Sequence, residues 1–403
     1  MGRLPSPLPA VTTRQRNLSI LLAIAVVAGV ALYLVQPQGG LARGGILGAV
    51  PRDAFLLVTI DVEALRASPL ALPLLGGDST KLLGVGAFAE TCGFDPLTRV
   101  KEIALAVPEG GDHGDFGLLA MGDLRQAELL DCAQKVILAR GGHPKLGKRG
   151  SFITVEDEDD PAGAKPRIAL RDGGPLLVGR GTWLQSMIDA AEGKIPSVRA
   201  GSPHLALREA LTVYREGKPA RSIVATAVLP KSLRERLKRE MGAELGAAEP
   251  GSNVAMGGVL SVETAGLAIT AGSAGQDSEA AAELRCESAD ACDEVKKLIL
   301  KKRLAFSQDF DVRLVGLGPI IDSLVVETKA TALTASAHAP TEDVAKALDR
   351  VLKFRSERPR APAPSNAPTL APLPTLAPSP SVSAERIPAP KPSAPAPKPR
   401  ASK

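Results

Sequence analysis

DCAQKVIL, residues 131–138, has a counterpart in ACDEVKKLIL, residues 291–300. Both set a cysteine ahead of an apolar stripe at helical spacing, and Cys132 and Cys292 stand 160 positions apart. The same offset relates a second pair of helices: Leu184 maps onto Val344, Ile188 onto Leu348 and Ala191 onto Val351. Two helices in step at one offset point to an internal duplication with copies of about 150–160 residues.

Outward from these helices, apolar alternation gives the strands. In the first copy DAFLLVTIDV reads as a strand, and Val62 to Leu75 as a helical stretch interrupted by Pro69 and Pro73. Ile103, Leu105 and Val107 alternate, and FGLLAMG adds a strand. RQAELLDCAQKVILARGG is a helix with Leu129, Cys132, Ala133, Val136 and Ile137 on one face, stopped by Gly141 and Gly142. FITVE and the hairpin RIALRDGGPLLVG, turning at Asp172-Gly173-Gly174, precede the helix TWLQSMIDAAEG. There Thr182 and Gln185 have capping-box spacing, and Leu184, Met187, Ile188 and Ala191 form a stripe.

The second copy runs as a strand SIVATAVL, a helix KSLRERLKREMG, a hairpin of VAMGGVLSVET with GLAITAGS, and a strand AELRCE. The helix ACDEVKKLILKKR, the hairpin SLVVETKATALTASAH and the helix TEDVAKALDRVLKF follow. Each copy is thus roughly βα-ββα-ββα. Strand pairs joined by short turns favour α+β over a doubly wound parallel sheet. The expectation is two similar lobes with mixed or antiparallel sheets, at residues 51–199 and 200–358.

Ahead of them lies RQRNLSILLAIAVVAGVALYLVQPQ, residues 14–38, in which Leu18 to Val35 carry no charge. A helix of that length spans about 27 Å, enough for a hydrocarbon core about 30 Å thick. It has no polar face. Arg3, Arg14 and Arg16 precede it and Arg43 and Arg52 follow, so residues 1–17 are expected in the cytoplasm. A cleaved signal peptide, with Gly40 and Ala42 at the site, is the competing reading, but the apolar run exceeds the usual h-region of about 7–15 residues. Both readings place everything beyond the linker 36–50 outside the cytoplasm. The expected location is the inner membrane, single-pass, with most of the chain periplasmic.

The four cysteines, Cys92, Cys132, Cys286 and Cys292, all follow the apolar segment. An even count in an oxidising compartment suggests two bridges with three connectivities. Cys92–Cys132 and Cys286–Cys292 are favoured because each stays within one half; four buried free thiols are the alternative. No cysteine pair has zinc-knuckle spacing.

Residues 359–403 hold 14 of the 34 prolines and a net charge of +5. Such a segment populates polyproline II and reaches about 140 Å when extended. The whole chain is also +5, so residues 17–358 sum to −3 once the three N-terminal arginines are set aside. The folded part offers no electrostatic footprint for nucleic acid. The tail suits an anionic cell-wall polymer, a membrane surface or the aromatic groove of an envelope protein.

Near-matches to catalytic motifs fail on context. GHPKLGKR, from Gly142, imitates a phosphate loop until Arg149 replaces the magnesium-binding hydroxyl. AGSAG, around Ser273, resembles a nucleophile elbow, yet loop and strand follow where a helix is needed. His113, His143, His204 and His338 share no metal-binding spacing and read as solvated loop residues. The run EDEDD, Glu156 to Asp160, lacks the calcium-loop pattern. Trp183, the single tryptophan, reads as a packed helix residue. At 3% aromatic residues, stacking sites for sugars or single strands are poorly supplied. No catalytic, cofactor or metal residues are assigned.

VPRDAFLLVTIDVEALRASPL, residues 50–70, preceded by the anchor and followed by an Ala-rich region, resembles a loose group of uncharacterised bacterial single-pass envelope proteins. The likeness spans the anchor and first half, implies an Ala-rich extracytoplasmic domain, and brings no catalytic residues. The expected function is a membrane-anchored extracytoplasmic binding or scaffold protein. The alternative is an extracytoplasmic hydrolase with its site in the cleft between the lobes.

Overall fold

A computed structural model describes residues 45–75, 90–95, 98–109, 115–160, 165–213, 221–236, 239 and 258–357. The apolar segment 18–35 and the tail 359–403 lie outside these. Among the described residues no helix is long and apolar enough to cross a membrane. The described residues belong to one compact unit.

The strands of the first half are β1 (Ala54–Asp61), β2 (Val100–Pro108), β3 (Gly117–Gly122), β4 (Pro144–Arg149), β5 (Phe152–Asp157), β6 (Arg167–Leu170) and β7 (Leu176–Gly179). Those of the second are β8 (Ile223–Val228), β9 (Val262–Thr270), β10 (Asp277–Cys286), β11 (Val325–Lys329) and β12 (Ala332–Pro340). They form one 12-stranded sheet in the order β11-β12-β10-β9-β8-β1-β2-β3-β7-β6-β5-β4. Every neighbouring pair is antiparallel. Read outward from the centre, β1-β2-β3-β7-β6 recurs as β8-β9-β10-β12-β11, with β5 and β4 added at the first half's edge. The halves join at β1–β8, where Leu57 faces Thr226 and Thr59 faces Val224. They share a single sheet, and no cleft separates them at this ladder.

The longer helices among the described residues are α1 (Gln126–Ala139), α2 (Trp183–Ala191), α3 (Pro203–Val213), α4 (Ala289–Gln308) and α5 (Thr341–Glu357), and they cover the sheet. β1 is apolar on both faces because both are covered. On one face, Leu57, Ala104, Ala106, Leu119 and Leu177 pack under Trp183, Leu184, Met187 and Ile188 of α2. Beside them on this face, Val224 and Ala268 meet Leu207 and Leu211 of α3. On the other face, Val58, Ile60, Ile103, Ala120 and Ile223 pack with Val62, Leu65 and Leu70 of the β1–β2 connection and with Val344 and Ala345 of α5. Farther out, Ala291, Cys292 and Val295 of α4 cover Cys286 and Leu333.

Three local expectations change. VAMGGVLSVET with GLAITAGS is not a hairpin: Val262–Thr270 is one strand, paired on both sides. Gly266 reads as a turn signal but serves close approach, since a Cβ there would sit 2.8 Å from Leu211 Cδ1 and 2.9 Å from Leu207 Cγ. The capping box at Thr182 does not form, because its backbone is already helical at φ −80° and ψ −14°. Gln185 instead donates to Asp189 at 3.0 Å and accepts from Arg149 at 2.8 Å. GHPKLGKR contains the edge strand β4, with Pro144 at its start, where a missing N–H is tolerated.

Candidate functional site

The junction of the halves carries a buried polar cluster. Thr59 and Thr226 project from β1 and β8 onto the face covered by α3. Ser202 caps α3, its hydroxyl accepting from Leu205 N at 3.2 Å, and Pro203 follows at the first turn. His204 and Arg208, four residues apart, therefore share the face of α3 turned to the sheet.

His204 is fully buried, not a solvated loop residue. Its Nε2 lies 2.7 Å from the Ala54 carbonyl and its Nδ1 2.8 Å from Thr226 Oγ1. A carbonyl only accepts, so Nε2 carries the proton and Nδ1 receives the threonine hydroxyl. Burial pushes the imidazole pKa down, the Ala54 bond opposes this, and the Arg208 charge adds to it. The ring is neutral near pH 7. Arg208 donates to Thr59 Oγ1 at 2.6 Å and to the Val224 carbonyl at 3.4 Å. Burial lowers its pKa to about 10, with Glu102 opposing. Burial also raises the pKa of Glu102, Arg208 works against that, and Asp61, its partner across β1–β2, adds to it.

Glu102 and Asp61 are the carboxylates nearest in kind to a hydrolytic pair. Asp61, however, accepts the Ala64 N–H at 3.0 Å as a helix cap. Through their hydrogen bonds His204, Thr226, Arg208 and Thr59 fasten α3 across the β1–β8 seam. The cluster occupies the position at which a cleft between lobes was expected.

Ser273 sits in the β9–β10 turn, where its carbonyl accepts from Gln276 N at 3.0 Å and its own N–H donates to Gln276 Oε1 at 3.3 Å. It is no strand-to-helix elbow. His143 pairs with Asp159 at 2.7 Å, His204 is used as above, and His338 lies exposed on β12; His113 is outside the described residues. None of these contacts reaches Ser273. In EDEDD, Asp157 accepts from His143 N at 3.1 Å and Asp159 N at 3.2 Å, and its hydrogen bond with Lys165 holds its pKa below the usual range. The run closes its own hairpin. Among the described residues no group of three or more His, Cys, Asp or Glu is placed to hold a metal ion. Trp183 is packed in the core, and its indole N–H meets no acceptor among the described residues.

Among the described residues, surface concavities include two that lie away from the seam. One, of about 580 Å³, is lined by Gly122 to Ala127 with Asp172 and Gly173. The other, of about 470 Å³, is lined by Arg149, Arg167, Gly181, Thr182, Gln185 and Ser186. Neither gathers a nucleophile with a base.

The cysteines are placed in pairs. Cys92 is bonded to Cys132 with Cα atoms 4.7 Å apart, tying the short helical turn before β2 to α1. Cys286 is bonded to Cys292 with Cα atoms 5.6 Å apart, tying the end of β10 to the first turns of α4. None is free. Both separations suit a bridge.

One surface escaped the sequence reading, which took ACDEVKKLILKKR only as a helix. α4 runs on to Gln308, and the short helix Phe310–Leu314 follows. Leu304, Phe310 and Leu314 are 61%, 74% and 62% exposed. Lys297, Lys301 and Lys302 flank them in sequence. The available signal was the alternation of lysines with leucines on the solvent side of the helix.

No family model matches the chain, and no curated protein sequence matches it. Five chains among solved structures match. Crystal form I of TP0453 has 12% identity and a TM-score of 0.42, covering 77% of this chain and 99% of that one. Form III has 11% and 0.41 with coverage of 78% and 100%, and form IV 12% and 0.40 with 75% and 96%.

Proposed function

We propose that this chain is a membrane-anchored extracytoplasmic domain that binds or scaffolds an envelope partner, and that it is not an enzyme. The observation that carries the reading is the pairing of all four cysteines in two disulfides. Such bonds persist in oxidising compartments and are reduced in the cytosol. The uncharged run Leu18–Val35, with Arg14 and Arg16 before it, supplies the tether and its orientation. Binding is favoured over catalysis because His204, Thr226, Arg208 and Thr59 at the seam are engaged with internal partners. The basic proline-rich segment 359–403 would serve as an arm for an anionic cell-wall polymer or an envelope protein.

Two fusions at the C-terminus test the compartment: alkaline phosphatase, active only outside the cytoplasm, and a fluorophore that matures only inside. Phosphatase activity without fluorescence is the expected result; the reverse would overturn the reading. Deleting residues 359–403 should remove envelope partners from a low-salt pull-down. An unchanged set at low and high salt would sink the arm's role.

A further inference from the structure

We propose that the solvent side of α4, with the helix Phe310–Leu314, docks onto an anionic phospholipid surface. The proposal takes from the preceding reading only that the fold is held beside a bilayer.

Between Val295 and Gln308 there are five basic residues and no acidic one, while residues 17–358 as a whole sum to −3. At about 100° per residue, Lys297, Leu300, Lys301 and Leu304 fall within an arc of about 100° on α4. The opposite face, through Cys292 and Val295, is buried on the sheet. Leu300 and Leu304 are therefore on the outward side, 38% and 61% exposed, among the lysines. Phe310 and Leu314, four residues apart on the next helix, are 74% and 62% exposed.

Most described lysines elsewhere are ion-paired, Lys148 and Lys329 being the exceptions. Eight described lysines form ion pairs, as in Lys101–Asp123, Lys135–Asp131, Lys145–Glu158 and Lys346–Asp343. Among the described residues Lys296, Lys297, Lys301 and Lys302 form none. The helix at the same place in the first half, α1, pairs its Lys135 with Asp131 and its Glu128 with Arg125. Unpaired lysines beside bare leucine and phenylalanine match an anionic bilayer: ammonium groups meet phosphates while the apolar side chains enter the acyl boundary. A soluble polyanion would use the lysines and leave the leucines in water.

The test places a probe at Phe310. The full chain carrying Phe310→Trp is reconstituted in vesicles of phosphatidylcholine alone or mixed with phosphatidylglycerol, with and without brominated lipid. Trp183 is 5% exposed and supplies a constant background. The introduced indole should be blue-shifted and quenched by brominated lipid only when phosphatidylglycerol is present. Adding Lys297→Ala and Lys301→Ala should shift that docking equilibrium roughly 30-fold toward the undocked state, from about one kilocalorie per lysine. Leu314→Trp gives the same readout from a second exposed position if the first variant folds poorly.

An indole left unquenched in phosphatidylglycerol vesicles overturns the proposal, and so does equal quenching in both lipids. Polyphosphate that shields the indole when brominated lipid does not would assign the surface to a soluble polyanion instead. Carbonate extraction reports separately on the anchor. Chain released by carbonate, yet quenched by anionic lipid, would count against the tether and not against this surface.

Discussion

The two halves of the sheet share a strand order and differ in what is laid upon it. β1-β2-β3-β7-β6 and β8-β9-β10-β12-β11 are the same path, yet α2 and α5, in step at the 160-residue offset, cover opposite faces. Leu184 packs with Leu57 and Leu119, whereas Val344 packs on the face of Ile60 and Ile223. A ladder fixes strand order through specific backbone partners. An amphipathic helix matches any apolar face of suitable width, so its side of the sheet is free to change. Covalent fastening differs as well: one disulfide closes 40 residues and the other 6.

That last difference gives the largest expected effect. The chain-entropy model assigns about 4 kcal/mol to the longer loop and about 2 kcal/mol to the shorter. Cys92→Ser with Cys132→Ser should therefore lower the urea midpoint about twice as far as Cys286→Ser with Cys292→Ser. Equal losses in the two double variants would break the loop-length account of the asymmetry.

The seam comes next, because it belongs to both halves. His204→Ala leaves the Ala54 carbonyl without its side-chain donor, leaves the Thr226 hydroxyl only the long bond to the Leu57 carbonyl, and opens a cavity, at about 2–3 kcal/mol. The pH sign follows from the depressed pKa of His204. The unfolded imidazole takes up a proton near 6.5 and the folded one only lower, so stability falls as pH drops below 6.5 and levels off beneath the folded value. Thermal melts at pH 7 and pH 5 should show a gap that shrinks in His204→Ala. A gap of unchanged size would remove His204 as its source.

How far the sequence reveals this arrangement depends on the kind of signal. The β6–β7 hairpin is legible because alternation and the Asp172-Gly173-Gly174 turn coincide, β1 from its apolar run, and the β11–β12 hairpin from alternation alone, its turn passing through Ala330 at φ 51°. β4 is not, because Pro144–Arg149 has a single large apolar residue, Leu146, and that residue is 54% exposed. α3 is missed although Ser202 and Pro203 mark its start, since His204 and Arg208 interrupt its stripe with polar residues. The candidate seam cluster is missed for the same reason: a buried His–Thr–Arg set looks polar until the partners from β1 and β8 are brought to it. Which face each helix covers is a tertiary fact with no local signature.

Close approach to the sheet sharpens the comparison at a smaller scale. In the first half a Cβ at Gly117 would meet Sδ and Cε of Met187, the far end of a flexible side chain, and the edge of the Trp183 indole at Nε1. In the second, one at Gly266 would meet Leu207 Cγ, a branch point close to the α3 backbone. Gly266→Ala should cost about 1–2 kcal/mol and Gly117→Ala less than about 1 kcal/mol, since methionine repacks more readily. Chemical denaturation of the two variants side by side checks the order, and a larger loss at Gly117 would reverse the inference about which helix is held more rigidly.

The smallest effects belong to a device that both halves use. Glu192, just past α2, accepts from Ser151 N at 2.6 Å in the β4–β5 turn, and Glu342, at the start of α5, accepts from Gly275 N at 2.7 Å in the β9–β10 turn. Lys194 and Ser151 hold the Glu192 pKa down to about 2, and the Gly275 N–H lowers that of Glu342. Each carboxylate therefore contributes stability that is present above about pH 4.5 and lost as pH falls through its folded pKa, near 2 for Glu192. Both groups lie at the surface and are partly exposed, so screening keeps the contributions small. Amide exchange is a more sensitive measure than melting. Glu192→Gln should speed exchange at Ser151, and Glu342→Gln at Gly275, each without altering the other turn. Exchange that changed in both turns from either substitution would mean that the two glutamates are coupled through the sheet.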